Sequence, residues 1–232
     1  MIDDTKPSWS YFTDEEILSI LEISRLQFRE AWQDGYIISD ERVLSGLTHI
    51  NDSNDYVKIV WRVQQENPHD ARYFDRDYLA RGITNLKLFY ALEIVDGKNL
   101  HSLSKTLDEF WHAHQNFSRD YTNFCDTAFG PNQTLHHLPT DKRDLAIQEA
   151  MEARYQYTRQ MLEKIAIRDD DFWGNDIVIC CSDDTAVPEG FIFWRPALIA
   201  IEPACRMYDD DRLNQALRKK TNFVLEGFAS LK

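Results

Sequence analysis

The sequence predicts a mostly α-helical protein: an irregular multi-helix domain with an N-terminal helix-turn-helix-like pair and a few short strands near the C-terminus. Three observations predict it. Apolar residues recur at helical spacing over long stretches, as in Tyr78, Leu79, Ile83, Leu86, Phe89, Tyr90 and Leu92. Only 8 glycines and 7 prolines punctuate 232 residues, too few for a loop-rich all-β fold. The 43% hydrophobic content, with 13 Phe, 10 Tyr and 6 Trp, is enough for a sizeable core. The length suits one large domain, divided here into an N-terminal helical region, 1–66, and a main helical domain, 67–232.

In chain order, Thr13 followed by Glu16 is a capping box, and Ile17, Leu18 and Leu21 continue it as an apolar stripe. Ser24 is placed to cap a second helix through Leu26, Phe28 and Trp32, ended by Gly35. This stretch resembles the helix-turn-helix unit of small DNA-binding and excisionase-like proteins, with Arg25, Gln27 and Arg29 on its recognition helix. Residues 13–38 carry six acids against two arginines, a local charge of −4 that opposes phosphate docking. Residues 39–55 are polar and turn-rich, and Asn51 to Asp55 reads as a loop. Tyr56 to Gln65 fits strand or helix, with helix favoured.

After Asn67-Pro68 a helix runs from Asp75 to Val95, stopped by Gly97. Another runs from Asp141 to about Ile167, with Thr140 as its cap. Residues 177–181, 191–194 and 198–201 are short apolar runs, read as strands or buried irregular chain. Asp209 to Lys220 looks helical. The triplets Asp169–Asp171 and Asp209–Asp211 suit solvated turns or caps, since neither has the alternating ligands and turn glycine of a calcium loop.

The net charge of −13 disfavours binding to nucleic acid or to anionic membranes and leaves a basic protein or a small molecule as partner. The first residues lack an apolar signal core, and no stretch approaches the roughly 20 apolar residues of a membrane span. A cytoplasmic location is expected, with reduced thiols. Cys180 and Cys181 are adjacent, and no Cys-x-x-Cys exists. The glycine loops of nucleotide sites and the Gly-x-Ser-x-Gly of serine hydrolases are also absent.

Chemistry concentrates between residues 108 and 139. Four of the seven histidines and one of the four cysteines fall there within 26 residues. Imidazole and thiolate are the side chains that bind transition metals well. If Leu107 to Phe124 is one helix, His112 and His114 point about 200° apart, while Asp108 and His112, at i and i+4, share a face. His114, Tyr121 and Cys125 align within about 20°, yet span about 16 Å of axis. A metal there needs a ligand from another segment, and His136 or His137 is nearest in sequence. The expected metal set is His112, His114, Cys125 and His137, with Asp108, Tyr121 and His136 behind them and Zn2+ as the least demanding ion. The alternative is structural: His114 a core histidine, Tyr121 a space-filler, Cys125 a small buried hydrophobe. Cys125 with His136 or His137 could also form a nucleophile pair, although Phe124 and Phe129 argue for burial. Cys181 is a further candidate ligand. Trp61, Trp111, Trp173 and Trp194 read as core.

The sequence Leu107-Asp108-x-Phe110-Trp111-His112-x-His114, then Tyr121-x-x-x-Cys125, Phe129-Gly130 and His136-His137-x-Pro139, resembles the glycine-rich-domain-like family of helical proteins of unknown function. The resemblance covers roughly residues 75–181. It implies a helical domain and no particular activity. The family's glycine-rich tail is missing, and Gln115-Asn116-Phe117 departs from the family's pattern. Three functions follow: a metal-binding helical protein that could be a metalloenzyme, an interaction module with an acidic surface and structural histidines, and a DNA-associated regulator through residues 13–38.

Overall fold

The structure is a computed structural model that describes residues 11–31, 40–97, 99, 101–140, 145–166, 168–174 and 193–200, with the side chains of 137–140, 145–148 and 193–200 left aside. The described residues are mostly helical, as predicted. The helices are α1 (Asp14–Ala31), α2 (Glu41–Asp52), α3 (Tyr56–Glu66), α4 (Arg76–Val95), α5 (Lys105–Gln115), α6 (Ser118–Ala128) and α7 (Leu145–Ile165). A 3-10 turn, Ala71–Phe74, precedes α4. Strands β1 (Gln133–Thr140) and β2 (Phe193–Ala200) pair antiparallel, with Gln133 opposite Ala200 and Thr140 opposite Phe193.

The expected helix-turn-helix pair is replaced by one helix. The capping box forms, with the Thr13 N–H on Glu16 Oε2 at 2.9 Å and the Glu16 N–H on Thr13 Oγ1 at 3.3 Å. Ser24, expected to cap a second helix, instead sits buried in the middle of α1, 3.1 Å from Thr84 Oγ1. Ile17, Ile20, Leu21, Ser24 and Phe28 form one unbroken buried stripe. Packing of that stripe outweighs the local preference of a serine for a cap. Residues 32–38, including Trp32 and Gly35, lie outside those described.

The turn-rich reading of 39–55 is corrected: a helix occupies most of it, and the loop expected over Asn51–Asp55 is confined to Ser53–Asp55. Asp40 accepts from the Arg42 and Val43 N–H groups and starts α2. Leu47 and Ile50 then bury its inner face. In α3 the buried set is Tyr56, Ile59, Val60, Val63 and Gln64, a helical spacing that leaves Trp61 45% exposed rather than in the core. Thr140, expected as a helix cap, is the last residue of β1, and α7 is described from Leu145 onward, residues 141–144 lying outside those described.

At the centre lies α4, whose residues from Leu79 to Glu93 are almost all buried. A helix apolar all round is one enclosed by others. One apolar cluster contains Ile20 and Phe28 of α1, Val60 of α3, Leu86 and Phe89 of α4, Trp111 of α5, Phe124 of α6 and Trp173. The Arg81 guanidinium binds Asp169 through two 2.8 Å bonds and also holds Asp171, which fastens the 168–174 segment to α4. Trp173 Nε1 then donates to Asn85 Oδ1 at 2.8 Å. Residues 177–181 and 209–220, with Cys180, Cys181 and Cys205, fall outside the described chain.

Candidate functional site

The motif region folds as two helices rather than one. Ser104 caps α5 by accepting from the Leu107 N–H. The helix stops at Gln115, because Phe117 takes a non-helical backbone, φ −98° and ψ 58°. The chain restarts as α6 at Ser118, so the alignment expected along a single straight axis does not apply.

The break nevertheless brings His114, Tyr121 and Cys125 into one buried group. His114 Nδ1 is 2.9 Å from the Tyr90 hydroxyl. Its ring lies 4.8 Å from Phe124, 4.9 Å from Tyr121 and 6.0 Å from Tyr56, centre to centre. Burial, aided by the Lys58 charge, pushes His114 down to about 3. Its Nε2 is buried without a hydrogen-bond partner. The Tyr121 hydroxyl donates to the Leu135 carbonyl at 2.7 Å and accepts from Trp111 Nε1 at 2.9 Å. Cys125 is a free, fully buried thiol raised by burial to about 12. Tyr121 and the Leu135 backbone bond to it and partly offset that rise. Together Trp111, Tyr121 and Cys125 fix the start of β1 on α5 and α6.

His112 goes the other way, as angular spacing predicts. Its side chain is 37% exposed, with Nε2 at 3.3 Å from Asp108 Oδ2. Asp108 Oδ1 is buried with no hydrogen-bond partner. Beside it Glu109 accepts from the Tyr73 hydroxyl, and burial raises its carboxyl. His136 is partly exposed on β1, where no strand was expected, and the side chain of His137 is not among those described. Among the described residues no three His, Cys, Asp or Glu side chains are placed to hold a metal ion.

Other polar groups gave no sequence signal. Tyr90 and Tyr56 look like ordinary members of apolar stripes, yet they wall in His114. His101 is wholly buried, 3.4 Å from Asp96 Oδ2 and 3.4 Å from Thr158 Oγ1, and stacked on Tyr157. Burial works against the Asp96 charge. Bonds from His101, Tyr157 and Asn99 outweigh it and hold the carboxyl below its usual range. This cluster ties the end of α4 to α7. A cavity of about 450 Å³ between α1, α4 and residues 168–170 is lined by Glu30, Arg81, Asn85 and Arg168. Its arginines are engaged, Arg81 with Asp169 and Arg168 with Asp170.

Comparison with family models, with curated proteins and with solved structures finds no match to this chain. No helix among the described residues is long and apolar enough to cross a membrane.

Proposed function

We propose that this protein is an interaction module whose histidine and cysteine motif is internal framework and whose working surface is the outer face of α1. One observation carries it. Leu18 and Leu26 on α1 are 48% and 49% exposed. Glu15 and Glu22 share their side of the helix, because residues 15, 18, 22 and 26 fall within about 80° of one another. Exposed leucines flanked by carboxylates suit a basic, amphipathic segment of a partner protein, with apolar contact for affinity and charge for orientation. The enclosure of His114 and Cys125 supports a structural role for the motif. Its resemblance to the glycine-rich-domain-like family implies a helical body and brings no reaction with it.

The test uses a lysine- and leucine-rich amphipathic 18-residue peptide and fluorescence anisotropy. Binding that weakens about tenfold or more in the Glu15→Lys, Glu22→Lys double variant supports the proposal. Absent binding, or binding indifferent to the double variant, rejects it.

A second function rests on a different observation. The unpartnered buried Nε2 of His114 and Oδ1 of Asp108 are each a group that a bound ion would satisfy. A Zn2+ at His114 Nε2 would draw on Cys125 beside it and on a ligand such as His137, with Tyr121 and His136 supporting; Asp108 and His112, on the other side of α5, would not share that ion. Mass-spectrometric metal content, on protein never exposed to an affinity resin, decides it. Stoichiometric zinc lost in His114→Ala supports a metal centre, and its absence rejects one.

A further inference from the structure

Lys87 lies in the middle of α4 with its side chain wholly buried. Among the described residues no carboxylate forms an ion pair with it. Its Nζ reaches Asn51 Oδ1 at 3.4 Å, a long contact, and sits 5.1 Å from the centre of the Tyr56 ring. Both partners belong to the corner between α2 and α3. That corner has further ties, among them an ion pair of Arg29 with Asp52. Arg25 of α1 donates to the Asp52 carbonyl at 3.2 Å and to Asn54 Oδ1 at 3.0 Å. The Tyr56 hydroxyl donates to the Ile50 carbonyl at 2.8 Å.

We propose that Lys87 is a proton-controlled latch for residues 50–56: uncharged, it stays enclosed and holds the corner to α4, and on taking up a proton it releases the corner so that water reaches the ammonium. The physical basis is the cost of an unpaired charge in an apolar core. An ammonium is normally compensated by a carboxylate, whereas here an amide oxygen and a ring face do that work. The charged groups that act on Lys87 are Arg25, Glu22 and Arg29 of α1 and Asp52 of α2. Burial first, then the Arg25 charge, push Lys87 down to about 7, against weaker support from Asp52 and Glu22.

The sign follows from the two states. With the corner open, Lys87 is solvated and titrates near an ordinary lysine's value of about 10.4. With it closed, the midpoint is about 7. The open state therefore binds the proton more readily between these values. Opening rises about tenfold for each unit of pH lost from 10 to 7, then levels off. His49 is held below its ordinary value of 6.5 by burial, so it titrates outside this window.

The experiment is amide hydrogen exchange of the corner from pH 6 to 9.5, corrected for intrinsic rates, on wild type and Lys87→Met. Wild-type protection at residues 51–56 is expected to fall about tenfold per unit from pH 9 to 7 and then hold. In Lys87→Met it is expected to be high and flat. A wild type without the slope, or a variant that keeps it, overturns the latch. If the variant does not fold, the wild-type Lys87 Cε resonance decides. A midpoint near 7 supports the latch, and one near that of exposed lysines overturns it.

Discussion

His114 stays uncharged well into acid because its ring is buried among Tyr56, Tyr90, Tyr121 and Phe124, where a cation loses the solvation it has in water. The unfolded chain protonates it near 6.5 and the folded one only at about 3. Between those values the unfolded state binds the extra proton, so stability falls as pH drops from 6.5 toward 3, by up to about 4 kcal/mol from this group. His114→Asn can offer an amide to Tyr90 and cannot titrate. Urea denaturation at pH 7 and pH 4 should show a smaller acid loss in the variant. An equal loss in both would show that His114 does not set it. Tyr121→Phe removes the acceptor of Trp111 and the donor to Leu135, two buried groups. The expected cost is about 2 to 4 kcal/mol, read as a fall in the urea midpoint without a change of slope. Cys125 should resist alkylation in the native protein and react once unfolded, as peptide-level mass spectrometry would report, since its thiol is both buried and raised to about 12.

Between elements, a tight approach involves Gly82 of α4, which lies directly under the Phe110 ring of α5. A Cβ there would stand 2.3 Å from Phe110 Cζ. Helix propensity favours alanine over glycine by about 1 kcal/mol. Overpacking a buried contact costs about 1 to 3 kcal/mol and reverses the sign when no room exists. Gly82→Ala should therefore lower the melting temperature, and a rise would mean that Phe110 swings aside freely. The same contest between local preference and packing separates what the sequence reveals from what it conceals. α4 was readable because its apolar spacing, its Asp75 cap and Gly97 all agree. α1 reads as two helices because Ser24 looks like a cap, whereas the structure buries it against Thr84. α2 has a weak sequence signal because only a few apolar residues mark a helix among polar ones, and its cap, Asp40, stands in a polar stretch. At the candidate site, the opposed faces of His112 and His114 followed from spacing alone. Spacing puts His114, Tyr121 and Cys125 on one face but spreads them over about 16 Å of a straight helix; the break that gathers them has no local signal in Asn116-Phe117. Tyr90 and Lys87 were invisible, since their roles arise only when α4 is enclosed by helices distant in sequence.

At the scale of the molecule, the question is whether the N-terminal helices are a unit of their own. Ile17, Ile20, Leu21 and Phe28 of α1 are buried, and they belong to the same cluster as Trp111 and Trp173. Re-exposing those four side chains costs on the order of 6 to 12 kcal/mol, at 1.5 to 3 each. Whole domains are stable by about 5 to 15 kcal/mol, so detaching α1 alone approaches the cost of unfolding everything. Polar ties add to this: Arg76 of α4 with Glu16 of α1, and Thr84 of α4 with Ser24 of α1. The full chain should therefore melt in one calorimetric transition, with van't Hoff and calorimetric enthalpies equal across the α1 to Trp173 body. Phe28→Ala in α1 should move that transition bodily, by a cost of about 3 to 5 kcal/mol, rather than split it. A second, earlier peak that shifts with Phe28→Ala while the main one stays fixed would show that α1 to α3 fold separately, and that the shared core is two cores in contact.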